Sequence, residues 1–87
     1  MTSHVLRRCS SFEGTAENEE TIDFPRWSGE VTITNDHASD SLYFKFDAAE
    51  DYMTVYAGET ITVRMRVFAI IITANGQPVP YRIWVFT

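Results

Sequence analysis

The chain has 87 residues, 45% of them hydrophobic and 14% aromatic, and a formal net charge of −5. That length holds one small domain, which buries only roughly 60–65% of its unfolded surface and so has a thin core. The acidic balance argues against a nucleic-acid-binding surface, the single cysteine excludes an internal disulfide, and no apolar run is long enough to span a membrane.

Residues 1–20 show little periodicity and are rich in Ser, Thr, Glu and Asn. They read as an extended arm, ordered only when something captures it, ahead of a folded domain over 21–87. Val5, Leu6 and Phe12 are isolated apolar residues in this arm and are its candidate anchors on a neighbour. Glu20 to Phe24 reads as a short strand ended by Pro25, and Trp27-Ser28-Gly29 as a turn. Glu30 to Asn35 alternates cleanly, with Val31 and Ile33 inward. Asp36 to Ser41 is a polar loop, its Asn, Asp and Ser neighbours favouring turns. Leu42 to Phe46 is the next strand, with Leu42, Phe44 and Phe46 inward. Tyr52 to Tyr56 follows an acidic connection, with Met53 and Val55 inward. After the Ala57-Gly58-Glu59 turn, Thr60 to Val67 alternates again, with Ile61, Val63, Met65 and Val67 on the apolar face.

At Val67-Phe68 the parity of the apolar set changes from odd to even. A single strand would then carry its core residues to the outer face, so a bulge or bend is expected there, where the chain passes from one sheet to another. The last twenty residues place two apolar runs, Phe68 to Ala74 and Gln77 to Phe86, around Asn75-Gly76, a strong hairpin signal. Hairpin pairing would set Ile72 opposite Val79, Ile70 opposite Tyr81 and Phe68 opposite Ile83, with Ile71, Arg82, Trp84 and Phe86 toward the other face. Taken together, these elements predict an all-β fold: a small antiparallel β-sandwich or barrel of about seven strands with an extended N-terminal arm.

Chemistry-bearing patterns are sparse. His4 and His37 lack partners at metal-ligand spacing, and a Cys9–His dyad would need a pocket that an N-terminal arm seldom supplies. Asp47, Glu50 and Asp51 do not match a calcium loop and read as solvated charge. No catalytic residue, metal ligand, cofactor or small-molecule substrate is expected, and the chain is not read as an enzyme. Two features point to protein contacts instead. A hairpin apolar on both faces exceeds what one small domain can cover. All 12 acidic residues lie at or before Glu59, whereas the charges after it are Arg64, Arg66 and Arg82, an asymmetry that suits subunits meeting acid to base. The candidate interface residues are Arg64, Arg66, Ile71, Arg82, Trp84 and Phe86.

The runs Glu30-Val31-Thr32-Ile33-Thr34-Asn35, Leu42-Tyr43-Phe44-Lys45-Phe46, Tyr56-Ala57-Gly58-Glu59-Thr60-Ile61-Thr62-Val63, Arg66-Val67 and Pro80-Tyr81-Arg82-Ile83-Trp84-Val85-Phe86 resemble, in style and strand order, small all-β virion proteins of tailed bacteriophages. These are capsid decoration, neck and tail accessory proteins. The resemblance covers roughly residues 22–86. It implies a non-enzymatic structural subunit, multimeric on the particle, made in the host cytoplasm and located in the virion. Its expected partners are copies of itself and other virion proteins, with no nucleic acid or membrane. The alternative is a carbohydrate- or host-surface-binding module, with Trp27, Tyr43, Tyr52 and Tyr56 as a stacking platform.

Overall fold

A computed structural model describes residues 9–87. Among these residues are eight strands: β1 Cys9–Ala16, β2 Glu20–Asp23, β3 Glu30–Asn35, β4 Leu42–Lys45, β5 Met53–Val55, β6 Thr60–Val63, β7 Ala69–Thr73 and β8 Val79–Phe86. They form two antiparallel four-stranded sheets, in the orders β1-β8-β3-β6 and β2-β7-β4-β5. The all-β sandwich expected from the sequence is thus the fold observed, with one strand more than the seven expected.

That strand is β1, and it corrects the arm. Cys9–Ala16 pairs with β8 over its full length, from Cys9 opposite Phe86 to Ala16 opposite Val79. The alternation is present in Phe12, Gly14 and Ala16, but only Phe12 is a large apolar residue, so periodicity gave little signal. Gly14 has a steric reason to be glycine: a Cβ there would lie 2.8 Å from the Tyr81 hydroxyl and 3.0 Å from Cζ, too close for the ring to stay where it is. Val5 and Leu6 lie outside the described residues.

The second correction concerns the hairpin. Asn75 (φ 54°) and Gly76 (φ 88°) do form a tight turn, closed by Gln77 N–H donating to the Ala74 carbonyl at 3.2 Å. The flanking strands, however, belong to different sheets. Both sides of β7 are taken by β2 and β4, and both sides of β8 by β1 and β3. Ile70 and Ile72 therefore face Val79, Tyr81 and Ile83 across the core and do not lie beside them. The expected passage between sheets after Val67 is observed, drawn out over residues 64–68 between β6 and β7.

Among the described strands only β4 and β5 are sequential neighbours in one sheet; every other connection crosses the sandwich. One end holds the crossing from β1 to β2, the β7–β8 turn and the loops after β3 and β5. The other holds Cys9, Phe86, residues 24–29 and residues 64–68. Between them lies a core of Val31, Ile33, Leu42, Phe44, Val55, Ile70, Ile72, Val79, Ile83 and Val85, each nearly or fully excluded from solvent. Apolar burial at about 25 cal/mol per Å² is what holds the two layers together. Outside, Thr32 and Thr62 (3.1 Å) and Thr34 and Thr60 (2.9 Å) hydrogen-bond across β3 and β6.

One buried polar residue ties the first end shut. Asn35 is fully buried. Its amide donates to the Asp40 and Val55 carbonyls, both at 2.9 Å, and its Oδ1 accepts from His37 N–H at 2.8 Å. The His37 ring continues the network: Nδ1 accepts from the backbone N–H groups of Ser39 (3.0 Å) and Asp40 (2.8 Å). Every hydrogen-bonding arm of the Asn35 side chain but one lone pair is thereby used, which is what makes its burial tolerable.

Candidate functional site

The second end of the sandwich carries an open groove of about 470 Å³ where residues 64–69 pass residues 24–29 and the loop after β4. Ser28 builds it. Ser28 is buried, its Oγ donates to the Met65 carbonyl at 2.6 Å and accepts from Val67 N–H at 3.1 Å, and its backbone N–H donates to the Val67 carbonyl at 2.7 Å. Phe24 N–H donates to the Phe68 carbonyl at 2.8 Å, and Gly29 N–H to the Phe86 carbonyl at 2.6 Å. These bonds hold two irregular segments side by side without a regular ladder, and they fix which side chains turn outward.

The outward side chains are large and apolar. Trp27 is 50% exposed, Phe68 55% and Met65 39%. The Trp27 and Phe68 rings meet edge to face, with centroids 4.5 Å apart at 83°, and the Arg66 guanidinium lies over the Trp27 ring at 5.4 Å. Phe46 lines the same groove, with Asp47 and Glu50 beside it. Both carboxylates also serve their own loop: Asp47 Oδ1 accepts from Ala49 N–H at 2.8 Å and Glu50 Oε2 from Phe46 N–H at 3.3 Å. Among the described residues no three His, Cys, Asp or Glu side chains gather as a metal site.

The six candidate interface residues do not form one surface. Arg66 is in the groove. Arg64 is near it and pairs with Glu30 at 3.4 Å. Ile71 is half-buried on the outer face of the β2-β7-β4-β5 sheet, between Thr21 and Lys45. Arg82, Trp84 and Phe86 are on the outer face of the other sheet, where Arg82 holds Asp36 with two bonds of 2.7 and 2.9 Å and stacks on Trp84 at 5.2 Å. Hydrogen bonding to Asp36, and then its charge, raises the Arg82 pKa. A doubly apolar hairpin face as the seat of contact is therefore overturned: its residues lie on opposite sides of the sandwich, and Trp84 and Phe86 are half-covered by their own sheet. The acid–base asymmetry is also partly consumed within the chain, by the Arg64–Glu30 and Arg82–Asp36 pairs.

The expected aromatic platform divides as well. Trp27 is at the groove, whereas Tyr56, 65% exposed, is in the turn at the opposite end. Tyr52 donates to Glu19, which raises its pKa first through that bond, and Lys45 lies over its ring at 4.3 Å. Met65 and Phe68, expected inside, are outside, because the parity break falls within an irregular crossing where strand alternation no longer applies. Met53, also expected inside, is 40% exposed on the edge strand β5. Phe12 packs inward against Phe24, ring centroids 5.8 Å apart. The change of parity at Val67-Phe68 was the one sequence signal that marked the groove; Ser28 left none.

No protein-family model matches the chain, and no curated protein matches it.

Proposed function

We propose that the chain is a non-enzymatic structural subunit of a bacteriophage particle, acting through contacts with copies of itself and with other virion proteins. The observation that carries the contact-forming part is the exposed cluster of Trp27, Phe68, Met65 and Arg66. Aromatic residues, Met and Arg are the types enriched in the centres of protein interfaces. Here they are held in place by buried Ser28, so a partner would meet a surface already ordered. The assignment to a virion rests on the resemblance of the strand sequences to phage decoration, neck and tail accessory proteins. The test is mass spectrometry of purified particles from the phage or prophage that encodes the chain. The chain should be present at a stoichiometric level, and Trp27→Ala with Phe68→Ser should lower its incorporation several-fold. A chain found only outside purified particles overturns the reading.

A glycan-binding module is the second reading, favoured by Trp27 standing half-exposed in one groove with Asp47 and Glu50, which could accept hydroxyl hydrogen bonds. Arg66 already covers one face of the indole, leaving less of it to stack on a sugar. Quenching or enhancement of Trp27 fluorescence by host-surface glycans, lost in Trp27→Phe, would support this reading over the first.

A further inference from the structure

Four described strands lie at sheet edges, and three of them are protected in the usual ways. β6 has four residues and runs into Arg64 and Arg66. β2 has four residues, with Glu20 and Asp23 at its ends and Pro25 just beyond. β5 has three residues. β1 differs. It has eight residues, no proline and one charge, Glu13. That charge lies opposite Arg82 on β8 and contributes to the rise in the Arg82 pKa. Phe12, in the middle of β1, is only partly buried, at the open edge of the core.

The direction of the β1 backbone groups that no other described strand pairs follows from β8. Asp36 N–H donates to the Pro80 carbonyl and Gly29 N–H to the Phe86 carbonyl, and both donors flank β3. Even-numbered residues of β8 thus turn their carbonyls toward β3. Within a strand the N–H and C=O of one residue point the same way and successive residues alternate, so Tyr81, Ile83 and Val85 turn toward β1. Their partners are Gly14, Phe12 and Ser10. The remaining residues, Cys9, Ser11, Glu13 and Thr15, direct their N–H and C=O groups out of the edge.

The geometry points to β1 of a second copy as the occupant of this edge, in antiparallel pairing about a two-fold axis at Phe12. In that register Ser11 of each copy faces Glu13 of the other, and Cys9 faces Thr15. These four pairs all join outward-turned residues, so each can exchange two backbone hydrogen bonds. Phe12 meets Phe12 at a non-hydrogen-bonded position, where Cα atoms approach to about 4.5 Å and side chains touch most closely, and the half-covered ring is covered. A register centred one residue later would set Glu13 against Glu13. Charge favours the same occupant. In sequence the strand is preceded by the basic pair Arg7-Arg8 and followed by Glu17, an order of charge that is complementary to itself when reversed. The result is one continuous eight-stranded sheet through the dimer, with the groove at Trp27 left free for other partners.

The inference rests on the reading of the chain as a contact-forming subunit, and purified protein tests it separately. Sedimentation should show a concentration-dependent dimer. Ser11→Pro removes an outward N–H and no bond to β8, so it should give a monomer whose thermal midpoint stays close to that of the wild-type monomer. Thr15→Cys supplies the register test without relying on a proline. Paired residues have Cα atoms about 5.5 Å apart, within reach of a disulfide, so mild oxidation should link Cys9 of one copy to the new thiol of the other. Within one chain the two positions are six residues apart on an extended strand and cannot be bridged. A covalent dimer from Thr15→Cys but not from Glu13→Cys supports the proposal. A wild type that stays monomeric from micromolar to submillimolar concentration overturns it, as does equal linking in both variants. A monomer still incorporated into particles refutes the edge alone; a dimer absent from particles refutes the virion reading alone.

Discussion

The two ends of the sandwich solve the same problem differently. At both, the chain must leave one sheet and enter the other, and its backbone groups must find partners outside the ladders. At the first end the partners are supplied from within. The Glu17 carbonyl accepts from Ala74 N–H at 3.0 Å and Gly76 N–H at 2.8 Å, and Asn35 gathers three more bonds in full burial. Ala16 and Ala74 are small enough to let the crossings lie flat on the core. At the second end Ser28 supplies the bonds, but the side chains around it, Trp27, Met65 and Phe68, turn outward and stay exposed. The first end closes the core; the second presents a surface. The hydrogen-bonded corner and the exposed aromatic cluster thus lie at opposite poles of one small domain.

The largest effect should come from opening the closed end. Asn35→Ala removes three hydrogen bonds and leaves the Val55 carbonyl without this partner in the interior. With about 1 kcal/mol for each net bond and a further penalty for buried groups left unpaired, the loss should be about 3–4 kcal/mol. Denaturant titration measures it. A loss below about 1 kcal/mol would mean that water replaces the amide, and that this end is not closed. Ser28→Ala at the other end removes two side-chain bonds from a buried hydroxyl to backbone groups that are only partly buried, and should cost about half as much.

Next in size is Gly14→Ala. The added Cβ would meet the Tyr81 ring at 2.8–3.0 Å, and Tyr81 is packed between β1 and the core. Displacing it should cost about 1–3 kcal/mol, the usual range for overpacking. Tyr81→Leu in the same background should recover part of the loss by removing the phenol, whereas no recovery would mean that the clash is with backbone.

Much of the sandwich was legible because burial has a period. Val31, Ile33, Leu42, Phe44, Val55, Ile70, Ile72, Val79, Tyr81, Ile83 and Val85 can all be read from alternation, and all are buried. Partnership was not legible. Asn75-Gly76 signals a local reversal correctly, yet it does not say whether the strands on either side lie next to one another or face one another across a core. Both arrangements bury the same parity of side chains. What decides between them is the demand of β1 and β3 for β8, and of β2 and β4 for β7, which is a property of the whole chain. β1 was hidden for a related reason: its core face consists of Ser10, Phe12, Gly14 and Ala16, three of them small because Tyr81 and the corner occupy the space. The groove was legible only as a fault in the pattern at Val67-Phe68.

The pH dependence sharpens the closed end further. Burial, followed by the nearby Glu20 charge and the bond to it, raises the Tyr81 pKa above its ordinary value near 10. The folded state therefore holds the phenolic proton more tightly than the unfolded one. The corresponding stability is fully present below about pH 10 and is lost as pH rises through the folded-state pKa. Thermal midpoints should fall more steeply above pH 10 in the wild type than in Tyr81→Phe. Equal slopes would show that ionisation at this site is not coupled to unfolding.

The smallest effect on stability is expected where the effect on function is largest. Trp27→Ala and Phe68→Ser each remove a ring that is about half exposed, so little buried area is lost. The edge-to-face pair contributes about 0.5–1.5 kcal/mol at most. The double variant should unfold within about 1 kcal/mol of the wild type while losing the contacts proposed for the groove. The two ends would then differ in kind: substitutions at Asn35 and Gly14 would change folding and leave the groove's chemistry intact, and those at Trp27 and Phe68 would do the reverse. If the double variant instead lost more than about 2 kcal/mol, the aromatic cluster would be part of the core, and the contrast between a closed pole and a presenting one would fail.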